Sequence, residues 1–248
     1  MKLKYIINKM TDIENNEIYV VGNGSSLKDF DFNFLKDKKW VGCCLAYRHW
    51  KEELGFYPTH YVNVDSVVLK NNLEDIKDLI INKKCETFLL CASIIQWWPE
   101  CQDYESVIFI QQYKMSKENP FRNLIDYCSG TSATIFAYCL GATKIHLLGM
   151  DCNYVECIPE CIKLDDGTLK IIETPQNNPN YYYHSYQQIG DIYNKPNKDR
   201  VHLQSWFDVR NIFILFNMLR RKDIKLYNYN TSATLDDYFE RKNLSLLI

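Results

Sequence analysis

Neither sign of charge dominates this chain: 29 Lys and Arg stand against 31 Asp and Glu, for a formal net charge of -2. The basic residues are also spread along the sequence. A nucleic-acid surface is therefore not expected, because such surfaces need clustered cations. No apolar run approaches the roughly 20 residues that span a bilayer, so no transmembrane segment is expected. Glycine (9) and proline (7) are scarce for 248 residues, which excludes collagen-like and low-complexity architectures. Met1-Lys2-Leu3-Lys4-Tyr5 leads into mixed polar residues and not into an apolar run, so no secretory signal is expected.

Cysteine is the exception, with ten residues. A chain this long can bury a full core without disulfide support. Free, mostly buried thiols in a reducing cytoplasmic setting are the expectation, with peripheral contact at the inner membrane face left open. Cys152, Cys157 and Cys161 lack the C-x-x-C spacing of zinc sites, so no metal is expected there. The 18 Tyr and 12 Phe suit either sugar and nucleotide clefts or plain core packing.

The most informative segment is Ile18-Tyr19-Val20-Val21 running into Gly22-Asn23-Gly24-Ser25-Ser26-Leu27. Four strand formers followed by two glycines around an amide describe a sharp turn at the carboxyl end of a strand. In α/β proteins such a turn, leading toward a helix, can present backbone N–H groups to phosphate. No Gly-Lys-Ser/Thr follows, so it is not a Walker A loop. Leu27 stands where the third glycine of a dinucleotide fingerprint would be.

Short apolar runs at 39–45, 60–65, 86–91, 106–110, 144–149 and 224–228 read as further strands. Helical spacing separates several of them, over 73–82 and from Val201 to Arg221. Ser129-Gly130-Thr131-Ser132 opens a helix that is apolar nearly all round to Leu140, with Gly141 placed to end it. The predicted fold is α/β and Rossmann-like: a mostly parallel sheet with helices on both faces. It forms a single nucleotide-binding domain over 1–248. Residues 152–200, with four prolines and Tyr181-Tyr182-Tyr183-His184, read as an irregular lid or acceptor-side insertion. The tail from Thr231 is expected to hold a few helical turns at most.

The ordered set G-x-G-x-S-L at Gly22–Leu27, Ser129-Gly130, and L-G-x-x-x-I-x-L-x-G-x-D from Leu140 to Asp151 resembles glycosyltransferase family 42. These are the bacterial sialyltransferases that use CMP-sialic acid. It is also similar to the broader MptE-like superfamily, which holds 6-hydroxymethylpterin diphosphokinases and flagellin nonulosonate transferases. The resemblance covers roughly residues 17 to 155.

It implies a nucleotide site made by Gly22, Asn23, Gly24, Ser25, Ser26, Asp65, Ser129, Gly130 and Thr131. It further implies that Asp151 is the acidic residue after the last buried strand, and that Tyr154 hydrogen-bonds the leaving phosphate. Three positions depart from the sialyltransferase pattern. Cys44 stands where the second strand commonly ends in Asn. Asp65, an acid that many MptE-like proteins share, stands near the point where the sialyltransferases have Asn, with Asn63 two residues away. The arginine just before the Ser-Gly pair is absent, with Asp126 and Tyr127 in that region.

Sugar transfer needs a held phosphate, a base for the acceptor hydroxyl and charge stabilisation on the leaving group. Tyr154, or Tyr182 and Tyr183, would donate phenolic protons. His184 in the aromatic segment and His202 at the start of the following helix are the candidate bases. Position after the lid and before a helix matches the sialyltransferase base and favours His202; the MptE-like motif favours His184. His49, His60 and His146 are expected to pack or cap, and Asp29-Phe30-Asp31 to cap.

The expected activity is transfer of sialic acid or a related nonulosonate from a nucleotide-sugar, CMP-linked by preference, to a glycan or glycoprotein acceptor. No cofactor is obligatory. The alternatives are a diphosphokinase moving pyrophosphate from ATP to a pterin-like alcohol, with Mg²⁺ held by Asp65 and Asp151, or an inactive nucleotide-sugar-binding protein. Self-association into a homo-oligomer is left open.

Overall fold

The first strand, β1 (Glu17–Val21), lies in the interior of the sheet and alternates sides along its length. Tyr19 and Val21 pack with Trp40, Tyr61 and Phe88 on one face, while Ile18 and Val20 pack with Val41, Val62 and Leu89 on the other. Both faces are thus covered, the condition under which a parallel sheet reads as near-continuous apolar runs. The computed structural model describes residues 16–110, 128–195, 201–220, 224–230 and 235–244. Asp126 and Tyr127 fall outside the described residues.

From β1 the chain steps outward through β2 (Trp40–Cys43), β3 (His60–Asn63), β4 (Thr87–Leu90) and β5 (Val107–Phe109). It then returns to the other side of β1 as β6 (Lys144–Leu148), which pairs in parallel from Glu17 against Lys144 to Val21 against Leu148. The sheet has eight parallel strands, ending in β10 (Lys225–Asn228) and β11 (Glu240–Arg241) beyond β6. Reversal of strand order between β1 and β6 opens a crevice at their carboxyl ends.

The tail differs from expectation. Its last described element includes a two-residue strand, too short for alternation to register. Residues 152–200 also hold some order: Asp165-Asp166-Gly167 turns β7 (Cys161–Lys163) into β8 (Leu169–Ile171). This hairpin pairs with β9 (Ile192–Tyr193) in a small antiparallel sheet.

Helix α1 (Tyr47–His49) runs into a wider turn over Trp50–Leu54, followed by α2 (Ser66–Asn71) and α3 (Leu73–Ile81). α3 buries Ile76, Leu79 and Ile80 at helical spacing. Helix α4 (Ser129–Cys139) is buried from Thr131 to Cys139, lying between the sheet and α5 (Val201–Arg220). No described helix is long and apolar enough to cross a membrane.

His60, at the start of β3, shows how burial couples this fold to pH. It is 7% exposed, with Nδ1 2.7 Å from Thr87 Oγ1. Burial, helped by the charge of Lys39, pulls its pKa down to about 4. The unfolded chain takes up this proton near the ordinary value of 6.5. The stability from keeping the ring neutral is therefore present above that pH and lost on acidification toward 4. Between pH 7 and pH 4 this group should cost about 3 kcal/mol of folding free energy. Urea titrations at the two pH values read the loss, and His60→Gln should remove that part of the slope.

Candidate functional site

A cavity of about 410 Å³ opens at the switch point, walled by the carboxyl ends of β1, β2, β3 and β6. Gly22 and Asn23 enter it from the first turn, and Ser129 and Gly130 from the start of α4. The two peptide corners therefore meet in one space. Close approach dictates the glycines. A Cβ on Gly22 would collide with the Gly149 carbonyl, and one on Gly130 would lie 2.7 Å from Met150 Sδ.

The first turn is braced against β6. Gly22 N donates to Leu148 O at 2.7 Å and Gly24 N to Gly149 O at 2.9 Å. Ser26 gives its N–H to Asp151 Oδ2 at 2.9 Å and its hydroxyl to Oδ1 at 2.5 Å. Asp151 is thus a clasp across the crevice, and its carboxylate leaves no room for a Cβ on Gly24. Gly24, Ser25, Ser26 and Asp151 stand beside the cavity without lining it. Thr131, with Oγ1 bonded to the Cys128 backbone, caps α4.

Asn23 is different. Its Nδ2 donates to Tyr186 Oη at 2.9 Å and to Cys43 O at 3.3 Å, which fixes the amide's orientation. Its Oδ1 is buried without a hydrogen-bond partner, a cost of about 1–3 kcal/mol unless a ligand donor meets it.

At α4 the first N–H groups have no intrahelical carbonyl and carry the positive end of the helix dipole. Ser129 Oγ accepts from Cys44 Sγ at 3.0 Å and from Val64 N at 3.4 Å. With both lone pairs engaged, its own proton remains to be donated. Cys44 reaches this position through a left-handed backbone, φ +52, and burial pushes its thiol up to about 12. It is a neutral hydrogen-bond donor, not a nucleophile.

Asp65 lines the cavity and caps α2, its Oδ1 accepting from Val67 N at 2.8 Å, Val68 N at 3.1 Å and Asn194 Nδ2 at 3.0 Å. Asn63 is fully buried, engaged with Tyr61 Oη and Asp65 N. Tyr154 lines the cavity, and removal of its phenol from water, reinforced by Tyr181, raises its pKa well above 10.

Among the three tyrosines of the cluster, only Tyr181 lines the cavity, stacked on Tyr186 at 3.9 Å. Tyr182 Oη instead meets His49 Nδ1 at 3.1 Å, and Tyr183 Oη bonds Glu52. His184 does not line the cavity. Its side chain is 63% exposed, with Nδ1 4.0 Å from Glu53. His202 is the second residue of α5, one helical turn before Trp206, and its side chain is outside the described residues. Trp206 is buried and lines the cavity.

Tyr186, Trp206, Lys195 and the thiols of Cys44, Cys128 and Cys152 also form its walls. Of these, the sequence drew attention only to Cys44, as a departure from the family pattern, and to Cys152, in a cluster without zinc spacing; the density of tyrosines after residue 180 signalled an aromatic wall. Among the described residues no group of three or more His, Cys, Asp or Glu side chains has metal-binding geometry.

No family model and no curated protein sequence matches the chain. Solved structures do. The monofunctional alpha-2,3-sialyltransferase Cst-I from Campylobacter jejuni aligns over 92% of this chain and 81% of its own, with a TM-score of 0.56 and 14% identity. A point mutant of the alpha-2,3/8-sialyltransferase CstII aligns over 92% and 88%, with a TM-score of 0.51 and 16% identity. CstII from Campylobacter jejuni in complex with a substrate analogue, cytidine-5'-monophosphate, aligns over 91% and 84%, with a TM-score of 0.50 and 16% identity. At such identities the likeness is one of fold: an α/β, mostly parallel sheet with helices, shared with these sialyltransferases.

Proposed function

We propose that the chain is a glycosyltransferase that moves sialic acid or a related nonulosonate from a CMP-linked donor to a glycan or glycoprotein acceptor. The observation that carries this reading is the meeting of Asn23 with the α4 amino terminus in one cavity. The cavity has a single lining cation among the described residues, Lys195. One phosphate suits a helix terminus and a hydroxyl donor, whereas a diphosphate would bring charge that these groups do not balance. The nucleotide bound in the CstII complex has one phosphate, which agrees with this choice.

In the reaction the acceptor oxygen attacks the anomeric carbon, the bond from that carbon to the phosphate oxygen breaks, and CMP departs with the bonding pair. Ser129 O–H and the first N–H groups of α4 hold the phosphate as its charge grows. Tyr154, kept protonated by burial, donates to the departing oxygen. The orphan Asn23 Oδ1 accepts from a ribose hydroxyl. The acceptor's proton passes to His202, which precedes cavity-lining Trp206 by one turn of α5.

A Mg²⁺-dependent diphosphokinase is less well served. The carboxylates it would use are engaged, Asp151 with Ser26 and Asp65 Oδ1 with α2 and Asn194.

Calorimetry with CMP, UDP, GDP and ATP, with and without EDTA, tests the reading. CMP should bind in EDTA, and Ser129→Ala should weaken it about tenfold, the loss of one hydrogen bond to a charged group. Release of AMP from ATP and Mg²⁺ in the presence of a pterin alcohol, with no CMP binding, would overturn it.

A further inference from the structure

The cavity carries a positive charge that the phosphate site does not use. Lys195 and Asp65 are the only charged side chains lining it among the described residues. Asp65 is tied to the start of α2 and to Asn194. Lys195 lies just beyond β9, on the small-sheet side, while Ser129 and Gly130, the groups proposed to hold the phosphate, stand at the amino-terminal start of α4. Its Nζ is 3.0 Å from Glu156 Oε2, with the two side chains 44% and 32% exposed. An ion pair in contact with water is worth little and exchanges partners readily. Glu156 therefore serves as a placeholder that a ligand anion can displace.

We infer that Lys195 recognises the carboxylate of the donor sugar and selects ulosonate donors over neutral sugars. This rests on the donor reading above. The chemistry of such donors supplies the geometry. An ulosonate carries its carboxylate on the anomeric carbon, the atom that also bears the phosphate, so the two anions lie within a few bonds of each other. α4 takes one and Lys195 the other. A neutral hexose leaves Lys195 on Glu156 and gains nothing from it, so the preference arises from a charge pair available to one class of sugar only.

The test compares two ligands that differ by the sugar alone: CMP and a non-transferable 3-fluoro analogue of CMP-N-acetylneuraminic acid. Lys195→Ala should weaken the analogue about tenfold while leaving CMP unchanged, and Lys195→Arg should restore most of the loss. Glu156→Gln, which removes the competing anion, should tighten the analogue and not CMP. Equal weakening of both ligands would make Lys195 a phosphate contact and overturn the inference; so would no change in either. A wild-type protein that binds neither ligand would instead overturn the donor reading itself, and the inference with it.

Discussion

Arg48→Met is expected to destabilise the fold by about 3–5 kcal/mol, the cost of leaving a buried charge without its partner. Arg48 is 8% exposed and belongs to α1. Its Nη1 donates to Asp191 Oδ2 at 2.6 Å and to Tyr186 O at 2.8 Å; its Nη2 donates to Asp191 Oδ1 at 2.9 Å and to Asn72 Oδ1 at 3.0 Å. Asp191 also accepts from Gln188 N at 2.7 Å. One guanidinium therefore pins the segment 186–191 to α1 and to the end of α2.

That segment holds the wall of the cavity. Tyr186 stacks on Tyr181 and accepts from Asn23, and Tyr182 N donates to Asn23 O at 3.2 Å. Loosening the clamp should release the tyrosine wall before it unfolds the sheet. Urea unfolding should report the stability loss. Limited proteolysis near 186–191 and CMP affinity should both change at denaturant concentrations where the far-UV spectrum does not. Adding Asp191→Leu to Arg48→Met should recover part of the loss, because the orphaned carboxylate goes with it. If the double variant is as unstable as the sum of the singles, the pair is not the unit that holds the segment.

Arg48 also marks where the sequence stopped being legible. β1, its glycine turn, α4 and β6 could be read from local pattern alone, because each is long or strongly punctuated. Their convergence followed from the strand-order logic of parallel sheets. What the turn does with its N–H groups could not be read. Those of Gly22, Gly24 and Ser26 go to the carbonyls of Leu148 and Gly149 at the end of β6 and to Asp151, a choice made by packing between segments some 125 residues apart. In the proposed reading the phosphate therefore falls to the amino terminus of α4, not to the first turn.

Local pattern likewise cannot foresee Cys44, which leaves its strand through a left-handed conformation that glycine ordinarily takes. The strands of the small sheet are two or three residues long, below the length at which alternation can be recognised. Nothing in the local sequence sets Arg48 or Lys195 apart from the other basic residues. Only tertiary contact distinguishes a buried clamp and a cavity-lining cation from a solvated side chain.

His202→Ala is expected to lower kcat by about 10²–10⁴-fold, the usual contribution of a positioned general base, with CMP affinity held within about twofold. His184→Ala should leave both within about twofold. Position separates the two. His184 lies on the α1 side, its ring 4.7 Å from that of Tyr183 and its Nδ1 4.0 Å from Glu53. It packs against Tyr183, whose hydroxyl is already bonded to Glu52. His202 is the second residue of α5, and four residues later the same helix places Trp206 against the cavity. Residues four apart share a helix face, so position 202 belongs to the same face of α5 as Trp206, roughly 6 Å along the axis from it.

A base lost without loss of donor binding should appear as a fall in kcat and in kcat/KM together. The acidic limb of the pH–rate profile should vanish, since histidine is the side chain that changes charge near neutrality. Full activity in His202→Ala together with a crippled His184→Ala would move the acceptor site to the α1 face. The catalytic step would then lie outside the switch-point crevice, where the parallel sheet gives it no support.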